Sequence, residues 1–351
     1  MTRATRRTLL SFAAAAVPLP ALAQGTRTAA PKLAIVAFDT AGHLDESGNS
    51  WQVPSEIWAY HPQNSSSRKA FIAQLFSAKY GLKVTDANRA VFDRRVNLLL
   101  ADNIGNVKPV VRVAASAPEY PATGDNGHTA TTFRLPVSAD APAGGVRIPL
   151  QVDGAAAASV HLVPAEGISV ISDIDDTVKD SHVLDKKRLW EATFYQPFKS
   201  VPGMAELVKR LAGPAGAVHY VSSTPWHLFT PLREWLAADG FPVSSLHLKQ
   251  IRLKDTTIFN IFKGPEVMKP PVIEALVRRW PKRTFILLGD SGEKDPEIYG
   301  DIARKFPTQV SRILIRRAPG DASAASRFTQ TFTGIERSRW QIFDRTDEIK
   351  I

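Results

Sequence analysis

The spacing of apolar residues changes period along this chain, and each change marks a new kind of element. Leu33 to Phe38 reads as a strand, Trp51 to Tyr60 is mixed, and Pro62 to Ser67 is loop. Phe71, Leu75 and Phe76 then recur at helical spacing between Lys69 and Tyr80, with Gly81 as the stop. Val91, Val96, Leu98 and Leu99 predict a second helix over Asp86 to Leu100. Beyond Val107 the period becomes two: 107–114, 129–135, 146–152 and 158–163 alternate, separated by turn-rich pieces such as Ala122 to Gly127. This predicts a small antiparallel β-sandwich over about residues 105–164.

From Ile168 the pattern changes again. Short β-branched runs at Ile168–Ser172, Val218–Ser222, Leu246–Leu248, Thr284–Leu288 and Ser311–Ile315 alternate with helical stretches at Gly203–Ala212, Pro225–Ala238, Pro270–Trp280 and Pro296–Lys305. Such alternation predicts an α/β unit, a parallel sheet with helices on both faces. Phe328 to Ile351 reads as a helix plus a terminal segment packing back. The expected organisation is an N-terminal accessory region of helices then sandwich over 24–164, joined through Pro164 to Gly167 to an α/β domain over 165–351.

The chain has 351 residues, enough for two domains, and no cysteine, which excludes disulfides and thiolate chemistry. Residues 1–23 read as a signal rather than as fold. Arg6-Arg7, the apolar run Leu9 to Val17 and the small-residue site Ala21-Leu-Ala23 fit an export signal of the twin-arginine type. The expected location is therefore periplasmic or cell-envelope. The apolar run is too short to span a membrane as a mature helix, and no later segment approaches a span. Formal net charge is +10, and removing Arg3, Arg6 and Arg7 leaves +7. A basic surface suits anionic partners such as phosphorylated substrates or lipid headgroups.

The candidate chemistry lies at the ends of the predicted strands. Ile168–Ser172 runs into Asp173, Asp175 and Asp176, and buried charge is costly unless paired or metal-bound, so the cluster belongs at the strand's open end. Asp173 and Asp175 point the same way on extended backbone; one can attack an electrophile while the other moves a proton. The strand ending Ser222-Ser-Thr-Pro225 offers hydroxyls and N–H groups to a phosphoryl oxygen, although Thr224 also suits a helix cap. Lys269-Pro-Pro271 opens a helix, where a lysine opposes the helix dipole and so suggests a specific job; Lys249, Lys254 and Lys263 compete with it. Asp290 ends a buried strand, and Asp295 follows five residues on. Hard oxygen ligands of this kind suit Mg²⁺, while Asp295 before Pro296 is equally a helix cap.

Taken in order, D-x-D-x-T, a strand ending in serine, a lysine and G-D-x-x-x-x-D resemble the four signatures of the haloacid dehalogenase superfamily of phosphohydrolases. The runs Ser172-Asp-Ile-Asp-Asp-Thr-Val-Lys179, Val201-Pro-Gly-Met204, His219-Tyr-Val-Ser222 and Gly289 to Tyr299 are similar to the catalytic domain of the actin-patch-type phosphatidate phosphatases, roughly over Ile168 to Arg317. The resemblance implies a haloacid-dehalogenase-like sheet and an aspartyl-phosphate route. On it Asp173 is the nucleophile and Asp175 the general acid/base. Thr177, Ser222, Ser223 and Lys269 bind the phosphate. Asp173 and Asp290 ligate Mg²⁺ with the Asp175 backbone carbonyl, and Asp295 supports the metal. The expected substrate is phosphatidate or another phosphomonoester, and no nucleic-acid partner is expected. A soluble sugar or nucleotide phosphatase and a non-catalytic envelope binding module are the alternatives.

Two further expectations concern access. The segment of about 178–217 between the first two motifs is too short for a large cap domain, which implies an open site. Lys186-Lys-Arg188 followed by Trp190, Phe194, Tyr195 and Phe198, and the run Ile258 to Phe262, either dock on lipid or form a hydrophobic cluster under a loop.

Overall fold

The computed structural model describes residues 32–153, 155–250 and 265–350. The predicted signal, the Ile258–Phe262 run, Lys254 and Lys263 lie outside the described residues. Residues from Lys32 onward form one compact unit built around two sheets.

Among the described residues, eight strands form the first sheet: β1 (Ala34–Ala37), β2 (Thr40–Leu44), β3 (Ser50–His61), β4 (Asp102–Asn103), β5 (Val111–Val113), β6 (His128–Pro136), β7 (Val146–Val152) and β8 (Ala155–Val163). It is one hydrogen-bonded sheet, wider than the region expected from 105–164. The strand β3, with Trp51, Val53, Ser55 and Ile57 turned inward, pairs with β1, β2, β4 and β6. Its pattern was masked in the sequence by Pro54 and Ser55 between the apolar positions. Most pairs are antiparallel, but β2 runs parallel to β8. Phe133 and Leu135 of β6 share one core with Val111 and Val113 of β5, so the two edges of the sheet cover the same apolar interior.

The second sheet has six parallel strands: β9 (Gly167–Ser172), β10 (Ala217–Pro225), β11 (Ser245–Lys249), β12 (Arg283–Asp290), β13 (Val310–Arg316) and β14 (Trp340–Phe343), in the order β11-β10-β9-β12-β13-β14. The strand β9, which carries the aspartate cluster, is central, between β10 and β12. Parallel strands buried on both faces need apolar residues at every position, and these have them. Val170, Ile286, Leu288 and Leu314 face one core; Ile171, Phe285, Leu287, Ile313 and Ile315 face the other. The first core takes α3 (Lys186–Phe194), α4 (Met204–Ala212) and α5 (Phe229–Ala238). The second takes α6 (Pro265–Arg279), α7 (Asp295–Lys305) and α8 (Ala325–Thr331). The terminal segment differs from expectation: Trp340–Phe343 pairs with β13 and adds a sixth strand.

The helices α1 (Ser66–Tyr80) and α2 (Arg89–Leu99) do not pack on the first sheet alone. Phe76, Phe92 and Val96 join the same core as Trp190, Phe194, Tyr195, Leu207 and Leu232. The junction at Pro164 to Gly167 thus separates the two sheets, and the first sheet keeps a core of its own, but the core that takes α1 and α2 draws on both sides of it. Asp39 adds a polar tie, accepting from Ser159 N at 2.7 Å and from Arg233 Nε at 2.7 Å.

These contacts decide the aromatic run after Lys186. Trp190, Phe194 and Tyr195 are no more than 3% exposed, with Phe76 at 4.8 Å from Trp190 and Phe92 at 5.0 Å from Tyr195 between ring centroids. Arg95 lies 3.6 Å over the Phe198 ring and donates to the carbonyls of Thr193 and Gln196, closing the end of α3. The aromatics are core, and lipid docking by them is excluded. Replacing Trp190 by Ala leaves a large cavity under α1, so it should lower unfolding free energy by about 3–5 kcal/mol. Urea unfolding would measure this, and a loss below about 1 kcal/mol would contradict the packing described.

Candidate active site

The chain leaves β9 at Ser172 and the Asp173 N–H donates to the Leu288 carbonyl of β12 at 2.9 Å, which fixes the nucleophile candidate between the two central strand ends. A tight turn follows. Asp176 takes φ +54° and its carboxylate accepts the N–H groups of Ser181, His182 and Val183 at 2.9, 2.8 and 2.6 Å. The third carboxylate of the cluster is therefore a structural acceptor that folds residues 177–183 back over the strand end.

Two cations divide the remaining acids. Lys269 Nζ lies 2.8 Å from Asp173 Oδ1, 2.5 Å from Asp295 Oδ1 and 3.5 Å from Glu293 Oε2. Burial opposes its charge, but Asp173, Asp295 and Glu293 outweigh that and hold the ammonium well above its ordinary pKa. Lys179 pairs with Asp175, whose Oδ1 also accepts from Ser181 Oγ at 2.7 Å. Its Oδ2 accepts from Thr224 Oγ1 at 2.6 Å and Ser222 Oγ at 3.3 Å. Burial pushes Asp175 up, but Lys179 and the hydrogen bonds from Lys179, Thr224 and Ser181 prevail and hold it at about 2.

The first group of acids is not neutralised. Asp173, Asp290 and Asp295 can bring ligand atoms within 4.8 Å of one another, all buried. Asp290 Oδ2 accepts from Gly292 N at 2.6 Å, but its Oδ1 has no partner among the described residues. Burial, then Asp295, Asp173 and Glu293, push Asp290 well above the usual carboxylate range. Burial and the neighbouring acids also raise Asp173, and raise Glu293 and Asp295 each to about 7 despite Lys269. One ammonium faces four carboxyls. An orphaned carboxylate oxygen in an all-oxygen acidic cluster fits a hard divalent cation. The space is also protected: a Cβ on Gly289 would come within 2.5 Å of Asp295 Oδ2 and 2.7 Å of Tyr299.

The structure thus gathers Asp173, Asp290, Asp295 and Lys269 on one side, and Asp175, Ser222, Thr224, Lys179 and Ser181 on the other. Thr177 Oγ1 donates to Asp173 Oδ2 at 3.2 Å, and Ser223 Oγ is buried without a partner among the described residues. The Asp175 carboxylate is outside the metal triad. Several local expectations change. Lys269 does not precede its helix: α6 starts at Pro265 and carries Pro270 and Pro271 within it. Thr224 does not cap a helix, since its hydroxyl is spent on Asp175. The Asp295 side chain likewise turns to Lys269 and to Asp290 N (3.4 Å) instead of capping α7. Lys249 ends β11.

Sequence reasoning named Thr224 but missed Lys179, Ser181 and Glu293. Lys179 and Ser181 follow Thr177 within one turn, and Glu293 lies between two named aspartates, so proximity to the motifs was the available signal. Residues 178–217 hold α3 and α4 and no separate cap domain. The acids are nonetheless deep: Asp173 is 1% and Asp175 6% exposed, so the expectation of an open site holds for the missing cap but not for the carboxylates.

Residues 168–317 match the family described as the catalytic domain of phosphatidate phosphatase APP1. An uncharacterized protein of Schizosaccharomyces pombe is 31% identical over 166 residues, which cover 46% of this chain and 27% of that protein. Phosphatidate phosphatase APP1 of Saccharomyces cerevisiae is 34% identical over 160 residues, 44% of this chain and 27% of that protein. The chain matches only about a quarter of the length of these curated relatives.

The raised carboxyls predict a pH-dependent response to metal. A group whose folded pKa is raised stabilises the fold below its unfolded value and loses that contribution as pH rises through the folded value. For Asp295 and Glu293 this window runs from the ordinary carboxylate range to about 7. Mg²⁺ bound at this cluster would compete with protons for the same oxygens. Its stabilisation, read as the Tm difference between Mg²⁺ and EDTA, should therefore be larger at about pH 8 than at about pH 5.5. An equal difference at both would contradict the charge imbalance.

Proposed function

We propose that this chain, whose residues 168–317 match the catalytic domain of phosphatidate phosphatase APP1, hydrolyses a lipid phosphomonoester, phosphatidate to diacylglycerol and phosphate, by a Mg²⁺-dependent aspartyl-phosphate route. The observation that carries the reading is Asp173. It is a buried carboxylate on the central strand end, 2.8 Å from the Lys269 ammonium and grouped with Asp290 and Asp295.

A substrate phosphate entering here meets Lys269 on one side and the hydroxyls of Ser222, Ser223 and Thr224 on the other. Asp173, Asp290 and Asp295 would hold Mg²⁺, which would supply positive charge against the excess carboxylates and the phosphoryl oxygens. An Asp173 oxygen attacks phosphorus, the bond to the lipid alkoxide breaks, and Asp175 supplies the alkoxide's proton. The dianionic phosphate prepares that step. It competes with Asp175 for Lys179, Ser222 and Thr224, and its charge raises the Asp175 pKa from the depressed value of the resting site, so that Asp175 takes up a proton from solvent as the phosphate binds. After giving that proton to the alkoxide, Asp175 takes one from the water that cleaves the phosphoaspartate, which frees Asp173, and returns it to solvent as phosphate leaves and Lys179 re-forms its pair.

The lipid part of the reading rests on the similarity to the phosphatidate phosphatase of Saccharomyces cerevisiae and on one rim of the site. The Asp176 carboxylate holds Ser181 to Val183. Next in the chain, Leu184 is 48% exposed and Lys186, Lys187 and Arg188 are exposed. An apolar tip with three cations suits peripheral contact with an anionic bilayer. Among the described residues, no helix is long and apolar enough to cross a membrane. Export through Arg6-Arg7 and the Ala21-Leu-Ala23 site is part of the same proposal; N-terminal sequencing of fractionated cells tests it.

Hydrolysis of phosphatidate vesicles and of p-nitrophenyl phosphate, each with Mg²⁺, separates the parts. Asp173→Asn should lower turnover of both by roughly a thousandfold or more. Joint replacement of Lys186, Lys187 and Arg188 by Ala should weaken only the vesicle reaction, with about 1 kcal/mol of binding lost per cation. Near-normal rates in Asp173→Asn would remove the nucleophile assignment. A sugar phosphate or nucleotide cleaved far faster than phosphatidate would leave a phosphatase and remove the lipid substrate.

A further inference from the structure

The loop from Gly289 to Asp295 carries Asp290, Glu293 and Asp295, yet it is short of regular structure and rich in charge. Within residues 168–317 it is held by Asp290 Oδ2 accepting from Gly292 N, by Ser291 N donating to the Arg316 carbonyl at 3.0 Å, and by Lys269 on Glu293 and Asp295. Further bonds come from outside residues 168–317. Arg327, on α8, donates from Nη1 to the Ser291 carbonyl at 2.7 Å and from Nη2 to the Glu293 carbonyl at 3.1 Å. The same guanidinium grips the Glu297 carboxylate at the start of α7 through Nε and Nη2, each at 3.1 Å. Ala318 N adds a bond to Ser291 Oγ at 3.0 Å. Phe328, the next residue, is 2% exposed in the core with Ile298, Tyr299 and Ile302, so the arginine is held from a packed helix.

We infer that Arg327 is the positioning residue of the metal loop, and that it acts by fixing the backbone on either side of Asp290 and Asp295. The planar guanidinium presents five N–H groups in one fork. Here the fork spans the residue after Asp290, the loop acid Glu293 and the first turn of the helix that Asp295 opens. A divalent cation demands tight ligand geometry, so small errors in the loop cost affinity before they cost the fold. Among the described residues the Asp290 side chain is held only by the bond its Oδ2 accepts from Gly292 N, so the direction of the unpartnered Oδ1 follows the loop backbone. This inference rests on the metal site proposed above.

The test compares Arg327→Met, Arg327→Lys and a control, Arg304→Ala. Arg304 anchors the other end of α8 through the Thr331 and Thr333 carbonyls but has no contact with the loop. Mn²⁺ binding is followed by electron paramagnetic resonance of the free ion, with Mg²⁺ activation kinetics and Tm alongside. Arg327→Met should weaken Mn²⁺ binding by about 10–100-fold and raise the Mg²⁺ requirement in parallel. Turnover at saturating Mg²⁺ should change far less. Arg327→Lys should recover part of the affinity, and Arg304→Ala should match the wild type. Unchanged Mn²⁺ affinity in Arg327→Met, or an equal loss in Arg304→Ala, would overturn the positioning role. A wild-type chain that bound no Mn²⁺ would remove the metal site itself, and the role with it, whereas failure confined to the Arg327 variants leaves that site standing.

Discussion

Lys269 is a single ammonium that faces Asp173, Glu293 and Asp295 directly, with Asp290 immediately behind them. All of these groups except Glu293 are at most 1% exposed, so water cannot screen the excess negative charge. The carboxyls respond by rising in pKa, and Asp290 Oδ1 stays without a partner. A fold selected for stability alone would replace such a cluster with apolar residues. Its retention makes sense if a divalent cation and a phosphoryl group complete the charge balance during turnover, and stability is spent on function in the ordinary way.

The rest of the fold serves to keep that cluster in place. Six parallel strands put the ends of β9, β10 and β12 side by side, which brings together acids that are more than a hundred residues apart in sequence. Helices cover both faces, and α1 and α2, from the N-terminal region, complete one of the two cores. On the β10 side Asp175 is locked by Lys179, Ser181, Ser222 and Thr224, so the site separates an ion-paired carboxylate from an under-neutralised acidic cluster. On the proposed function, a phosphate would have to exchange with these internal hydrogen bonds to enter, which would couple its binding to release of Asp175.

The strand ends were readable because a buried β-branched run that stops at a carboxylate has few explanations. Asp173, Asp175 and Asp290 come from that argument, Ser222 from a strand ending in hydroxyls, Asp295 from its place five residues after Asp290 and Lys269 from a supposed helix start; all fall within the two linked clusters. The use each side chain makes of its surroundings was less readable. Thr224 and Asp295 were equally good caps by local chemistry, and only tertiary partners show that both turn inward. The aromatics after Lys186 could face lipid or protein, since periodicity reports that a face is covered but not what covers it. The covering element, α1, lies about a hundred residues upstream. Arg327 carries no local signal at all, because its bonds go to main-chain carbonyls in another segment. The strand β3 was obscured by Pro54 and Ser55, and β14 is too short to show a period.

The central claim, that an uncompensated carboxylate cluster is kept for a divalent cation, is tested most directly on Asp290→Asn. Asparagine keeps the shape and the acceptor for Gly292 N but removes the orphaned charge. In EDTA at about pH 8 the variant should melt above the wild type, and Mg²⁺ should raise the Tm of the wild type but not of the variant. A variant that melts below the wild type in EDTA and still gains stability from Mg²⁺ would contradict the account.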